Sequence, residues 1–296
     1  MNKKRIVALG LVSAMLLGAF ALAGCGTTED TTNGTTDGTT EPVAEELTGA
    51  INVEGSDTLV NIAGAWADAF MTENPGVMIS VKGGGSGTGI AALINGTVDF
   101  ADASREIKDE ELQQAKDNGI DPVEHKVAID GIAVVVNPGN GVTDLTMDQL
   151  GKIYRGEFTN WKDVGGADKA IVLLSRDSSS GTYEYFKEEV VGKDAEYAKE
   201  AKLLPSNQAI ADEVKANDAA IGYIGLGYLT PSVKVVAIDG VKASIETAKD
   251  GSYPISRYLY MYSNGELSDV MQAYMDWILG ADGQKIVADE GFVPLQ

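Results

Sequence analysis

The sequence predicts an α/β fold arranged as two lobes with largely parallel sheets. Apolar segments of strand-like composition alternate with segments whose apolar residues recur at helical spacing, from Ile51 to the C-terminus. The apolar stretch Val127–Asn137 fits a buried strand, or two strands in succession. A chain of 296 residues with this many strand segments favours two lobes over a single sheet.

Strand and helix segments follow one another in a regular order along the chain. Strands are predicted where apolar and β-branched residues form short runs, and helices where apolar residues recur three or four positions apart. The predicted strands are Ile51–Glu54, Met78–Lys82, Val98–Ala101, Val127–Asn137, Ile171–Ser175, Ile221–Ile224, Val233–Ile238 and Tyr258–Ser263. The predicted helices are Leu59–Phe70, Ile90–Ile94, Asp109–Asn118, Thr146–Tyr154, Thr182–Val191, Gln208–Ala216, Leu267–Leu279 and Asp282–Asp289.

Charge and cysteine content exclude several classes of function. The formal net charge of −21, with no basic face in the pattern, argues against a nucleic-acid partner. The single cysteine, Cys25, leaves the folded part without a disulfide or a thiolate metal site. No spacing of His, Cys or carboxylate residues is typical of a metal site, so we expect neither a metal nor another cofactor.

The N-terminus has the pattern of an export signal. A basic start at Lys3–Arg5 precedes an apolar run, and small residues end the segment immediately before Cys25. Residues 1–24 therefore resemble a signal peptide that ends in a bacterial lipobox, with Cys25 as the lipidated mature N-terminus; a plain transmembrane anchor is the alternative. Residues 25–48 are rich in Thr, Gly, Asp and Glu and predict a flexible tether, so we expect a membrane-anchored protein on the extracytoplasmic face.

Three loops each place hydroxyl residues among glycines directly before a helical segment. A helix N-terminus has backbone N–H groups without partners and a partial positive charge, which makes it a natural anion site. Three such ends, one of them carrying an arginine, indicate a cage for a small tetrahedral oxyanion. The loops are Gly55–Thr58, Gly83–Gly89 and Arg176–Thr182.

The loop at Arg176 is the most informative of the three. The Arg176 side chain offers a planar pair of donors that matches an oxyanion. Ser180, Gly181 and Thr182 add hydroxyl groups and the first free amides of a helix. The alternative is that Ser180 caps the helix beside a surface arginine paired with Asp177.

The other loops also have plainer interpretations. Ser56 or Asp57 could serve only as an N-cap, and the glycines of Gly83–Gly89 could serve only a tight turn. The glycine loop lacks the lysine of a nucleotide phosphate loop. Ser104 and Arg105 follow a predicted strand and could add a hydroxyl and a second cation, although a surface arginine is the default.

Nucleophilic catalysis has little support in the sequence. His125 is the only histidine and has no serine motif beside it, and no Gly-x-Ser-x-Gly elbow is present around Ser180. We therefore expect a binding protein rather than an enzyme. An exported phosphatase or esterase acting through Ser180 or Ser86 is the alternative of a different class.

Taken together, six segments resemble the phosphate-binding proteins of bacterial phosphate ABC importers, the PstS family. The resemblance runs from about Gly49 to the C-terminus. Its carriers are Gly55–Leu59, Gly83–Gly89, Val98–Arg105, Asp130–Pro138, Ile153–Trp161 and Arg176–Thr182.

The resemblance implies a two-lobed periplasmic-binding-protein fold of the Venus-flytrap type II class. The chain would cross twice between a first lobe, residues 49–133 plus 251–296, and a second lobe, residues 134–250. Inorganic phosphate would lie in the cleft of a monomer and pass to the permease and ATPase subunits of an ABC importer.

The same resemblance assigns the ligand-binding residues. Thr58 would supply a hydroxyl, Leu59 a backbone amide and Arg176 the positive charge. Arg105 stands where the well-known branch of the family has an aspartate that accepts the phosphate proton, and an arginine cannot accept a hydrogen bond. Either Asp57, Asp102 or Asp177 takes that role, or discrimination between phosphate and sulfate is weaker here. A binding protein for another oxyanion, such as sulfate or molybdate, is the alternative. The expected site residues are Ser56, Thr58, Leu59, Ser86, Ser104, Arg105, Arg176, Ser180, Gly181 and Thr182.

Overall fold

The computed structural model describes residues 46–295. The predicted signal peptide, Cys25 and the tether up to residue 45 lie outside the described residues. Within this described range, none of the helices combines the length and the apolarity needed to cross a bilayer. The same range contains no group of three or more His, Cys, Asp or Glu side chains arranged to hold a metal ion.

Strands and helices alternate through the described chain. The strands are β1 (Gly49–Gly55), β2 (Val77–Lys82), β3 (Phe100–Ala103), β4 (Pro122–Val136), β5 (Asp144–Leu145), β6 (Val172–Arg176), β7 (Lys202–Leu204), β8 (Ala220–Gly225), β9 (Lys234–Val235), β10 (Ala237–Ile238) and β11 (Ser256–Asn264). The helices are α1 (Val60–Glu73), α2 (Ser86–Ile94), α3 (Asp109–Asp117), α4 (Met147–Tyr154), α5 (Gly181–Phe186), α6 (Asn207–Ala216), α7 (Ile245–Lys249), α8 (Asp269–Leu279) and α9 (Ala281–Asp289). Two 3-10 helices, Trp161–Val164 and Leu226–Tyr228, and the π-helix Lys187–Gly192 complete the secondary structure.

Strand β4 is shared by the two halves of the main sheet. The strand order is β2-β1-β3-β11-β4-β8-β6-β7, and β9 also pairs with β4. Residues 122–131 of β4 pair with β11, whereas residues 132–136 pair with β8. One long strand therefore runs from one half of the fold into the other, and β11 lies beside its first part.

The sheet is mixed rather than largely parallel. The outer pairs β1–β2, β1–β3, β6–β7 and β6–β8 are parallel, as the strand–helix alternation predicts. The central pairs of β4 with β8 and β11, and of β11 with β3, are antiparallel. The prediction was wrong at the centre because neither β4 nor β11 joins its central partners through a strand–helix–strand crossover.

Most predicted elements are present within a few residues of the predicted bounds. β4 begins at Pro122, ahead of the predicted start. The sequence did not predict this first part because its residues are largely solvent-exposed and form no apolar run. The predicted helix Thr182–Val191 is a short α-helix continued by a π-helix. The predicted strand Val233–Ile238 is split into β9 and β10, which pair with different strands. β5, β7 and α7 were not predicted, since they are too short to set up a pattern.

Two buried tryptophans anchor helices and loops to the core. Trp66 of α1 is fully buried, and its indole N–H donates to the Gly283 carbonyl at 2.9 Å. Trp161 is also buried and donates to the Ala219 carbonyl at 2.9 Å. Each indole therefore combines a large apolar contact with a satisfied N–H group.

The contact of α9 with the end of α8 generates a stability prediction. A Cβ atom at Gly283 would lie 2.3 Å from the Ile278 carbonyl oxygen, so Gly283→Ala forces the two helices apart. We expect this change to lower the free energy of unfolding by roughly 1–3 kcal/mol. Gly64→Ala is the matched control, because a Cβ atom there meets nothing within 4 Å on α1. It should raise the free energy of unfolding by up to about 1 kcal/mol. Urea denaturation of both variants measures the difference, and equal effects of the two changes would contradict the prediction.

Candidate functional site

Hydroxyl groups from the three predicted loops, together with that of Ser104, form two hydrogen-bonded groups. The Ser56 hydroxyl donates to Ser104 Oγ at 2.9 Å, and Ser104 Oγ lies 3.2 Å from Ser86 Oγ. The hydroxyl oxygens of Thr58 and Thr182 are 2.9 Å apart. We refer to these five residues, Ser56, Thr58, Ser86, Ser104 and Thr182, as the hydroxyl cage.

Strand pairing explains why loops distant in sequence converge. β1 and β3 are parallel neighbours, with Gly55 opposite Asp102, so the residues that follow them leave the sheet at the same edge. The Gly85 amide donates to the Gly55 carbonyl at 2.8 Å, which holds the start of α2 against the end of β1. The α5 end of the cage approaches from the other half of the sheet, where the Gly87 amide donates to the Ser179 carbonyl at 3.0 Å.

The cage is almost completely shielded from solvent. Each of its five side chains belongs to a residue that is at most 2% exposed. A buried hydroxyl needs a hydrogen-bond partner, and here the hydroxyls largely use one another.

Gly181 is fixed by close packing in the same place. A Cβ atom at this position would lie 2.3 Å from Ser86 Oγ and 2.8 Å from Ser104 Oγ. A side chain would therefore enter the cage, and glycine is required for α5 to approach α2 this closely. The neighbouring Ser180 is buried and its hydroxyl accepts from the Tyr183 amide at 3.3 Å, as expected of an N-cap.

Leu59 is fully buried at the start of α1. Its backbone amide, predicted as a donor to the anion, donates to the Ser56 carbonyl at 3.1 Å. The Thr58 amide likewise donates to Ser56 Oγ at 3.2 Å. Both amides thus belong to the tight turn that presents the Thr58 hydroxyl.

Arg176 lies at the end of β6 and is only 1% exposed. Its Nη2 atom donates to the Pro205 carbonyl at 2.9 Å, and its Nη1 atom lies 3.4 Å from Asp57 Oδ2. Nε and Nη1 have no hydrogen-bond partner within the described residues. A buried guanidinium with unused donors is costly unless an anion completes its hydrogen bonds.

Asn207 connects Asp57 to the hydroxyl cage, and the sequence did not reveal it. Its amide N and its Nδ2 atom donate to Asp57 Oδ2 at 2.9 Å and 2.8 Å. Its Nδ2 atom also lies 3.4 Å from Thr58 Oγ1. The Gly225 amide donates to Asn207 Oδ1 at 3.1 Å, which fixes the orientation of the side-chain amide.

Arg105 is bound by a carboxylate instead of by the cage. Its Nη1 and Nη2 atoms donate to the two carboxylate oxygens of Glu111 at 2.8 Å and 2.7 Å. Burial alone would raise the pKa of Glu111, but the hydrogen bond from Arg105 and the Lys108 amide hold it below its usual value. Across residues 46–295, Arg105 makes no hydrogen bond to a cage residue.

A second buried arginine, Arg257, contacts the cage and was missed by sequence reasoning. Its Nη2 atom donates to Thr182 Oγ1 at 2.8 Å, and its Nη1 atom donates to the Ser104 carbonyl at 2.7 Å. Arg257 also forms an ion pair with Asp130, whose carboxylate is 3.0 Å away. Burial raises the pKa of Asp130, although the nearby Arg257 opposes this shift. The sequence signal that could have revealed this ion pair is the opposite charges of Asp130 and Arg257, each of which lies in a strand-like segment.

The carboxylates named as proton acceptors lie in different surroundings. Asp57 contacts the Arg176 guanidinium, as described above. Asp177 Oδ1 accepts from the amide and the hydroxyl of Ser179 at 3.0 Å and 2.6 Å. Asp102 is 1% exposed and its Oδ1 atom has no hydrogen-bond partner in the described part of the chain. Burial raises the pKa of Asp102 to about 8.

A cleft of about 610 Å³ opens beside Arg105 and Arg257. The ion pair between Lys108 Nζ and Glu184, at 3.2 Å, joins its two sides. Carboxylates dominate the rest of its polar lining. They are Glu106, Asp109, Glu110, Glu184, Glu188 and Glu189.

The single histidine is not part of this arrangement. His125 Nε2 lies 2.9 Å from Ser263 Oγ, and neither Ser86 nor Ser180 has a histidine as its hydrogen-bond partner in residues 46–295. The serines proposed for nucleophilic catalysis therefore have no imidazole base.

Comparison with known proteins gives a consistent picture. Residues 26–282 match the family described as a PBP superfamily domain. The phosphate-binding protein PstS of Bacillus subtilis is 33% identical over 297 residues, which cover 100% of this chain and 95% of that protein. PstS of Staphylococcus haemolyticus is 38% identical over 298 residues, covering 96% of this chain and 91% of that protein.

Solved structures agree with these relatives. A Clostridium perfringens substrate-binding protein, assigned to phosphate ABC transport and crystallised with bound phosphate, superposes with a TM-score of 0.79 at 36% identity, covering 84% of this chain and 100% of that chain. An ABC-type phosphate transport receptor from Vibrio cholerae gives a TM-score of 0.70 at 28% identity, covering 83% of this chain and 100% of that chain. These neighbours confirm the predicted α/β, two-lobed binding-protein fold.

Asp102 generates a prediction about stability and pH. Its pKa rises from 3.8 to about 8 on folding, so between these values the folded state retains a proton that the unfolded state has released. The free energy of unfolding should therefore fall as pH rises through this range. Asp102→Asn should remove that part of the pH dependence. Compared with wild type at the same pH, the variant should therefore be more stable at pH 8 than it is at pH 5. Urea denaturation across this range measures the effect, with Asp68→Asn on the exposed side of α1 as the control. Parallel curves for wild type and Asp102→Asn would contradict the prediction.

Proposed function

The chain belongs to the PstS family of phosphate-binding proteins, within the PBP superfamily, and we propose on this premise that it captures inorganic phosphate between its two lobes. The observation that carries the proposal is the hydroxyl cage beside Arg176, whose Nε and Nη1 atoms lack hydrogen-bond partners within residues 46–295. Family membership also separates the protein from enzymes, because the relatives bind the substrate of a transporter.

Each part of the proposed site has a defined role. The guanidinium of Arg176 supplies positive charge and two unused donors to the phosphate oxygens. The hydroxyl cage supplies neutral donors from both halves of the sheet. Ser180, Gly181 and Leu59 shape the backbone at the two helix starts. Because the site is buried, each charge-assisted hydrogen bond contributes more than it would in water.

We assign Arg105 an indirect role. Both of its Nη atoms are already bound by Glu111, so its positive charge is largely neutralised before an anion arrives. Its Nε atom is buried and lacks a partner among the described residues. In this proposal Arg105 borders the cleft and stabilises its wall, while Arg176 binds the anion directly.

The proposed division into lobes follows the course of β4. We propose that lobe I comprises residues 49–133 plus 251–296 and that lobe II comprises residues 134–250. The change of β4 partners, from β11 to β8 after residue 131, supports this division. Ser86 and Thr182 then belong to different lobes, so binding of a shared anion favours closure.

The cellular setting is proposed from the sequence alone. Residues 1–24 would direct export, and lipidation of Cys25 would tether the binding domain to the extracytoplasmic face of the cell membrane. A monomer held near the membrane could deliver phosphate to the permease and ATPase subunits of an ABC importer. The tether of residues 25–48 would allow movement between capture and delivery.

A second candidate ligand is sulfate or molybdate. The observation that favours it is the excess of hydrogen-bond donors, because arginine and hydroxyl groups bind a fully ionised anion well. In addition, Arg105 stands after Ser104, where the family resemblance leads us to expect a hydrogen-bond acceptor. For phosphate selectivity we propose Asp57 as the acceptor of the phosphate proton. It is the carboxylate in contact with Arg176.

The role of Arg176 can be tested directly. Arg176→Ala removes the charge and the unused donors, so we expect phosphate affinity to fall at least roughly 100-fold. Isothermal titration calorimetry measures the affinity, and circular dichroism checks that the fold is retained. Arg155→Ala is the control, because Arg155 binds Glu157 and the Val191 carbonyl rather than the cage. Unchanged affinity in a folded Arg176→Ala protein would rule out this assignment.

Selectivity can be tested by competition. With Asp57 as acceptor, phosphate should bind at least roughly 100-fold more tightly than sulfate, because ionised sulfate has no proton to donate to a carboxylate. Asp57→Asn should narrow this ratio more than Asp102→Asn or Asp177→Asn does. Competition titrations of wild type and the three variants with phosphate, sulfate and molybdate measure this affinity ratio. Equal affinity of wild type for sulfate would identify the second candidate function as the correct one.

A further inference from the structure

The ion pair between Arg257 and Asp130 is unusually well buried. The two residues face each other across the antiparallel pair β11–β4, and their side chains are 1% and 0% exposed. Removing both charges from water has a large desolvation cost, which their mutual attraction only partly offsets. Stability alone therefore gives a weak reason for a charged pair at this position.

The remaining donors of Arg257 point to a different reason. Nη1 donates to the Ser104 carbonyl and Nη2 donates to Thr182 Oγ1, so a single guanidinium contacts both sides of the hydroxyl cage. Asp130 holds this guanidinium through Oδ2, while its Oδ1 atom accepts from the Leu226 amide at 2.9 Å. Asp130 thus fixes the orientation of the Arg257 guanidinium.

This contact restricts how the Thr182 hydroxyl can form hydrogen bonds. A hydroxyl carries one donor and two acceptor lone pairs, whereas a guanidinium can only donate. Arg257 therefore occupies a lone pair of Thr182 and leaves the hydroxyl proton free to point away from it. On that side lies Thr58 Oγ1, which itself has the donor Nδ2 of Asn207 beside it.

We propose that Arg257, held by Asp130, is a positioning residue of the anion site. It fixes the Thr182 hydroxyl as a donor to the bound oxyanion and holds Thr182 against Ser104. This inference rests on the proposed function, because it assigns a role at the same site. The second arginine that matters for binding is then Arg257, whereas the two Nη atoms of Arg105 donate to Glu111.

A double-mutant cycle tests whether Arg257 acts through Thr182. The charged pair is replaced as a unit, Asp130→Asn with Arg257→Met, so that no buried charge is left alone and the Leu226 amide keeps its acceptor. The second change is Thr182→Val, which removes the hydroxyl with little change of shape. Phosphate titration calorimetry is run on the full-length wild type, the pair variant, Thr182→Val and the combined variant.

We expect the pair variant and Thr182→Val each to weaken phosphate binding roughly 10- to 100-fold. The combined variant should bind about as weakly as Thr182→Val alone, because the arginine has no hydroxyl left to orient. Losses that multiply in the combined variant would overturn the inference. Arg155→Met, which removes an arginine with one carboxylate and one carbonyl partner outside the cage, should stay within roughly twofold of wild type.

A second variant keeps the test decisive if the pair variant does not fold. Arg257→Lys retains the charge beside Asp130, but one ammonium group cannot reproduce the fork that reaches both Ser104 and Thr182. It should lose affinity like the pair variant, whereas wild-type affinity would overturn the inference. If the wild-type protein binds phosphate, sulfate or molybdate and the variants bind it with the same affinity, only this inference is overturned. Wild-type protein that binds none of these anions overturns the proposed function as well.

Discussion

A buried hydroxyl must find a hydrogen-bond partner, and in the hydroxyl cage the side chains of separate loops find one another. This requirement links distant parts of the chain: β1 and β3 must be parallel neighbours, and α5 must approach from the other half of the sheet. Gly181 allows that approach because any side chain there would meet Ser86. The shared strand β4 then makes the two halves continuous, so the geometry of the cage depends on the order of the whole sheet.

Local patterns predicted the parts of the site that are encoded locally. A strand, a glycine-rich turn and a helix start form a contiguous signal, which is why Ser86, Arg176 and Thr182 could be selected from the sequence. Arg257 and Asn207 could not be selected, because their roles come from tertiary contacts between distant parts of the sequence. Arg257 and Thr182, for example, lie more than 70 positions apart. The antiparallel centre of the sheet was not predicted for the same reason, since the paired residues of β4 and β11 lie more than 100 positions apart in the sequence.

Charge is distributed very unevenly between the surface and the site. The chain carries a formal net charge of −21, yet Arg176 and Arg257 lie buried close to the hydroxyl cage. Each is partly compensated by a carboxylate, Asp57 for Arg176 and Asp130 for Arg257. These carboxylates orient the guanidinium groups and limit the repulsion between them. In the proposed site, an anion would therefore encounter the Arg176 donors that have no hydrogen-bond partner within residues 46–295, rather than net positive charge.

The carboxylates that line the cleft beside Arg105 have a consequence for kinetics. A divalent anion that approached the proposed site through this cleft would meet the field of these carboxylates, and this repulsion would slow encounter at low ionic strength. Added salt screens charges over about 10 Å at 0.1 M, so association should become faster as salt concentration rises. In the proposed complex, dissociation would begin from a cage whose residues are buried from solvent, and its rate should respond much less to salt. Salt would thus act on the speed of capture more than on the lifetime of the complex, the reverse of what is familiar for electrostatically attracted partners.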